Sequence, residues 1–130
     1  MILLDTHVVL WLAFAPGNLS ERAASTVAES RRRGDGLAIT GTTLWELGMM
    51  FLQDRIRPAI PLESFLREIE ANFVVLSIDA AIAARALAFT EAYPSDPADK
   101  LIGATALVHG ISLVTADIGI LHSGEVPCIW

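Results

Sequence analysis

Asp5, Glu46, Asp99 and Asp117 are the residues of this 130-residue chain best suited to chemistry. They stand in Ile2-Leu3-Leu4-Asp5-Thr6, Thr43-Leu44-Trp45-Glu46-Leu47, Asp96-Pro97-Ala98-Asp99-Lys100 and Leu113-Val114-Thr115-Ala116-Asp117. Each lies within or beside a strongly apolar segment, where an unpaired charge is costly. If the fold gathers them, they repel one another and their proton affinities rise. Helix N-termini offset this in part, and a bound cation does so more fully. An all-oxygen donor set suits Mg²⁺ or Mn²⁺. Such sites hydrolyse phosphodiesters by activating water and stabilising charge on the phosphate oxygens.

Each acid also fits a local role. Asp5 and Asp117 can cap the helices that follow them, Thr43-x-x-Glu46 has the form of a capping box, and Asp99 stands in a first helical turn. These roles explain the acids one by one. They do not explain why Asp5 follows four apolar residues, or why Glu46 is embedded in Leu44-Trp45-Glu46-Leu47. Thr6 and Thr115 adjoin acids and can orient a water or a carboxylate, or bond to local backbone. Asp96, ahead of Pro97, reads as a cap more readily than as a ligand. Lys100 fits either a contact to a substrate phosphate or an ion pair with a ligand carboxylate. His7, His109 and His122 lack metal-ligand spacing. There is no glycine-rich phosphate loop and no nucleophile elbow. Arg31-Arg32-Arg33 reads as a solvated helix end, where cations favour the dipole.

The elements that must position these acids follow from apolar patterning and from caps. Met1–Leu4 is an apolar strand expected to be buried on both faces. Helices are predicted over 6–14, from the Ser20 cap to about Arg33, over 42–52, near 62–72, over 80–90, and from the Asp96-Pro97 start to Gly110. Strands are predicted at 37–40, 73–76 and 111–115, with an edge strand at 126–129 and a short helical turn after Asp117. Alternating strands and helices predict an α/β domain with a mainly parallel sheet. Ligands gather outside the carboxyl ends of such strands. Asp5 and Asp117 fall there, and Glu46 and Asp99 are expected in first helical turns facing the same edge.

The chain is short enough for one domain spanning 1–130. Its hydrophobic fraction of 53% is high and its charged fraction of 18% is low. That predicts a full core with apolar surface left for a partner. Leu44, Trp45, Leu47, Met49, Met50, Phe51 and Leu52 are too many for one buried helix face, so some should meet another chain. Gly103, Ala104 and Ala106 permit close helix packing. No apolar run reaches the roughly 18 residues that cross a bilayer, and no secretion signal is read at the N-terminus. A lone cysteine, Cys128, suits a cytoplasmic protein and reads as a structural thiol. The net charge of −6 argues against a broad basic face for nucleic acid but not against a nuclease, since four of the acids are the proposed ligands.

These residues together resemble the PIN-domain nucleases, and among them the VapC-type toxins of toxin–antitoxin pairs. Met1-Ile2-Leu3-Leu4-Asp5-Thr6-His7 looks like the opening strand and first acid of that family. The segments 39–47, 96–102 and 113–117 look like its second, third and fourth motifs, and the likeness covers nearly the whole chain. The resemblance implies metal-binding, catalytic acids at Asp5, Glu46, Asp99 and Asp117. It also implies a three-layer α/β/α sandwich, Mg²⁺-dependent cleavage of RNA, a homodimer, and inhibition by a cognate antitoxin. The chain departs from the family in having Ala98 and Lys100 where an aromatic residue and Arg are frequent, and Thr42 and Thr43 where Ser is common. Lys keeps the charge of Arg but loses its planar fork, which bears on substrate contacts and not on the acids. Two other classes remain open at this point: a PIN-like module that binds RNA or protein without cutting, and a phosphatase or other metal hydrolase on the same kind of sheet. The missing aspartyl-phosphate signature disfavours the latter.

Overall fold

The computed structural model describes residues 1–130, and five short strands form its spine. They are β1 (Ile2–Leu4), β2 (Leu37–Thr40), β3 (Val74–Leu76), β4 (Leu113–Val114) and β5 (Cys128–Ile129). All pairings are parallel, and the order is β3-β2-β1-β4-β5. The helices are α1 (Thr6–Phe14), α2 (Glu21–Arg33), α3 (Gly41–Leu52), α4 (Leu62–Asn72), α5 (Ala80–Ala86), α6 (Pro97–His109) and α7 (Ile118–Ser123). A 3₁₀ turn at Pro16–Asn18 separates the first two.

Right-handed crossovers decide the layers. The chain steps outward from β1 through β2 to β3, which puts α1 to α4 on one face. It then returns past β1 to β4 and β5, which puts α5 to α7 on the other. The alternation of side chains along each strand shows both faces filled. Leu4, Ile39 and Val114 join Val8, Val27, Leu47 and Phe65 in one cluster, while their neighbours Leu3, Ala38 and Leu113 join Ile102, Ala106 and Ile120 in the other. This is the expected three-layer α/β/α sandwich, with an all-parallel sheet. No helix is long and apolar enough to cross a membrane.

Caps set the helix starts much as their residue types dictate. Ser20 accepts from the Ala23 amide at 3.0 Å, Asp79 from Ile82 at 2.9 Å and Asp96 from Asp99 at 3.1 Å. Gly34 and Gly110 end α2 and α6 in left-handed conformations at φ 71° and 65°. Several expected bounds were too generous. The helix predicted over 80–90 ends at Ala86, after which residues 87–90 leave the helical path. The strand expected over 111–115 pairs only at Leu113–Val114, and the edge strand only at Cys128–Ile129. Hydrophobic runs outlast the hydrogen-bonded ladder because burial continues into the connections that pack beside it. One capping role is also corrected. Thr40, not Thr43, caps α3, so Glu46 lies in its second turn and is no part of a capping box.

Candidate active site

The strand order reverses at β1, which leaves a crevice between the ends of β1 and β4, where α/β sheets bind ligands. The register Leu4↔Val114 places Asp5 next to Thr115 just past both strands. There the Asp5 amide donates to the Val114 carbonyl at 3.0 Å. The Thr115 hydroxyl donates to Asp5 Oδ2 at 2.6 Å, and the Thr6 amide donates to Oδ1 at 2.8 Å. Asp5 is only 7% exposed, and these two bonds hold its carboxylate.

Glu46 reaches the same crevice from α3. Its Oε1 accepts from the Thr6 hydroxyl at 2.6 Å, and that hydroxyl also bonds to Thr43 Oγ1 at 3.0 Å. Thr6 thus joins α1 to α3 beneath the acids. Thr115 serves likewise on the other side, since its oxygen also accepts from the Asp117 amide at 3.1 Å. Both threonines are buried and bond to acids or to their backbone. Asp117 Oδ1 caps α7 by accepting from Ile120 at 3.0 Å. Asp99 comes from the first turn of α6, which Asp96 caps. Its backbone carbonyl accepts from the buried Tyr93 hydroxyl at 2.6 Å.

Asp5, Glu46, Asp99 and Asp117 all line one cavity of about 330 Å³, together with Thr6, His7, Trp11 and Asp96. The fold therefore brings all four predicted acids together. Asp96 both caps α6 and faces the cavity. Lys100 is half-buried and does not line it. Convergence is nevertheless looser than expected, because no three acidic or imidazole side chains are drawn in tightly enough to hold one ion between them. The hydrogen bonds give the reason. Asp5, Glu46 and Asp117 each rest on a nearby hydrogen-bond donor. His7, which lacks metal-ligand spacing, and Trp11, which no motif singles out, also line the cavity. Their positions two and six residues after Asp5, on the helix that it caps, are the available signal.

The electrostatics express the crowding. Burial first, then the charges of Asp5, Asp96, Asp117 and Glu46, push the Asp99 carboxyl up to about 7. Burial also raises Asp5 and Glu46, against the lowering effect of their threonine hydrogen bonds. All donors facing the cavity at these acids are oxygens and the excess charge is negative, so the residues fit a hard divalent cation.

These shifts carry a sign. Unfolded carboxyls titrate near about 4, so between about 4 and 7 the folded chain binds more protons than the unfolded one. Stability from these groups is fully present below the unfolded value and is lost as pH rises through about 7. Without divalent cations, the melting temperature is expected to fall by a few degrees between about pH 5 and pH 8, an effect kept small by solvent screening of half-exposed Asp99. Asp99→Asn should remove much of that slope, and millimolar Mn²⁺ should raise the melting temperature more at pH 8 than at pH 5. A flat or rising profile in thermal melts of the wild-type protein would contradict this electrostatic account.

Comparison with known proteins follows the same lines. A model of the PIN domain family matches residues 2–124. The chain is 38% identical over 116 residues to Ribonuclease VapC22 of Mycobacterium tuberculosis (strain ATCC 25618 / H37Rv), covering 89% of this chain and 86% of that protein. Among solved structures it is similar to VapBC2 from Rickettsia felis bound to a DNA fragment from their promoter, with a TM-score of 0.73 at 15% identity over 98% of this chain and 97% of that one. It is also similar to FitAcB from Neisseria gonorrhoeae, with a TM-score of 0.69 at 24% identity over 98% and 96% of the two chains. At these identities the structures speak for the fold alone.

Proposed function

The chain belongs to the PIN-domain family, and we propose that it is a metal-dependent endoribonuclease serving as the toxin of a type II toxin–antitoxin pair. The observation that carries this reading is the cavity at the β1–β4 crevice, lined by four acids distant in sequence. The ribonuclease relative and the fold shared with toxin–antitoxin structures support it.

In this reading Asp5 and Asp99 hold a Mg²⁺ or Mn²⁺ ion, and Glu46 and Asp117 complete the site or position water. When bound, the ion supplies Lewis-acid stabilisation of the phosphodiester and makes water more acidic. The chain's own residues prepare the rest. Thr115 and the Thr6 amide fix the Asp5 carboxylate, the Thr6 hydroxyl holds Glu46, and Tyr93 ties the first turn of α6 to the neighbouring loop. Lys100, beside Asp99 in sequence, forms no ion pair with a ligand carboxylate and lies outside the cavity wall.

The partners proposed are an RNA substrate, a cognate antitoxin and a second copy of the chain. An apolar groove of about 510 Å³, walled by Leu12, Phe14, Ile60, Phe65 and Ile69 among others, suits the apolar face of an antitoxin segment. Leu52 and Leu87, at 72% and 86% exposed, are apolar surface that a second copy can cover.

Purified protein mixed with cellular RNA is expected to generate discrete fragments with Mg²⁺ or Mn²⁺ and none after EDTA. Binding of RNA without scission under every metal condition would instead favour a non-cutting PIN-like module.

A further inference from the structure

We infer that the indole of Trp45 is the base-stacking platform of a nucleotide subsite beside the acid cavity, with Arg55 receiving a phosphate of the same RNA strand. This rests on the ribonuclease reading and adds to it where the strand lies. A second cavity of about 370 Å³ is walled by Trp45, Met49, Gln53, Arg55 and Pro97. It shares Glu46 and Asp96 with the acid cavity, so the two adjoin across these side chains. A strand with one phosphodiester at the acids can run directly into it.

Trp45 is 64% exposed, although the next residues on the core side of α3, Leu47 and Met50, are buried. The core-facing side of the helix is thus filled without it. Trp11 and Trp130 pack against each other with centroids 5.8 Å apart, whereas Trp45 meets no other aromatic ring. Trp45 thus holds a large apolar ring at the rim of a site that is otherwise polar. Unpaired RNA bases stack on such rings, and the contact tolerates any base because each has a π-face. Met49 adds a polarisable wall and Gln53 an amide able to meet a base edge.

Charge points the same way. The acid cavity carries no Lys or Arg, and Arg55 is the one such side chain lining either cavity. The ion pairs of the protein join Arg32 and Arg33 to Glu29, and Arg67 to Glu63, which leaves the exposed Arg55 guanidinium without a carboxylate. In a chain of net charge −6, an anionic strand approaching this edge meets its cation there.

The test is steady-state cleavage of a random-sequence pool of short single-stranded RNAs in Mn²⁺, with sequencing of the ends produced. Trp45→Ala should raise KM about tenfold or more and flatten any base preference at one position near the cut, while Trp45→Phe restores most of the loss. Arg55→Gln should raise KM and weaken its dependence on salt. Arg22→Gln, exposed on α2 and outside both cavities, should change none of these. Trp45→Ala with unaltered KM in an active wild-type background would overturn the subsite alone. A change of oligomeric state in sedimentation, with KM intact, would overturn it in favour of a protein interface. A wild-type protein that neither binds nor cuts RNA would overturn both the ribonuclease reading and the subsite.

Discussion

Asp5→Asn should reduce RNA cleavage by at least about a hundredfold while leaving the protein folded and, near pH 8 without divalent cations, more stable than wild type. The two effects have one cause. Asp5 is nearly buried between the ends of β1 and β4, and burial raises its proton affinity, so its charge is carried at a cost to the fold. Asparagine keeps the shape. Its amide oxygen can still accept from the Thr6 amide, and its NH₂ can donate to the Thr115 oxygen, whose hydroxyl reorients. What disappears is the negative charge that a divalent cation needs. The variant should therefore show a higher melting temperature in EDTA and a smaller rise on adding Mn²⁺. Wild-type cleavage by the pure variant would refute the assignment of Asp5. Lost cleavage with lowered stability in EDTA would show that the carboxylate is structural.

Much of this site can be read from the chain because its acids sit at points where local rules are strict. Asp5 and Asp117 follow strands whose apolar runs leave little doubt about where the sheet edge lies. Asp99 follows an Asp-Pro helix start, which fixes its place in the first turn. Glu46 was harder. Thr43-x-x-Glu46 mimics a capping box, and only the structure shows Thr40 as the cap and Thr43 turned to Thr6, 37 residues away in sequence. A contact of that range leaves no periodic trace. The same applies to Thr115 reaching Asp5 across 110 residues, and to the way three of the acids rest on local donors. Ala80–Thr90 shows the opposite failure. Alanine-rich sequence favours helix wherever nothing else intervenes. Here Phe89 leaves the helical path to stack on Tyr93, with centroids 3.8 Å apart, and tertiary packing overrides propensity.

That stack leads to the second large effect: Gly103→Ala should destabilise the protein by about 1–3 kcal/mol or more and impair cleavage as well. A methyl group at Gly103 would overlap the Tyr93 hydroxyl oxygen and stand 2.9 Å from the ring carbon that bears it. Those atoms cannot swing aside freely. Tyr93 is 3% exposed, its ring lies against Phe89 at an interplanar angle of 10°, and Arg85 covers the far ring at 4.7 Å. Relief therefore means expelling a buried aromatic or shifting α6. Either movement breaks the 2.6 Å bond from the Tyr93 hydroxyl to the Asp99 carbonyl, and with it the hold on the turn that presents Asp99 to the cavity. A small residue at this position thus connects the packing of α6 against the preceding loop to the chemistry at the sheet edge. The coupling can be measured with a double-mutant cycle in denaturant. Tyr93→Leu removes the obstructing hydroxyl and ring, so adding Gly103→Ala to it should cost much less than adding it to wild type. Equal costs in both backgrounds would mean that Tyr93 is not what makes glycine necessary at 103.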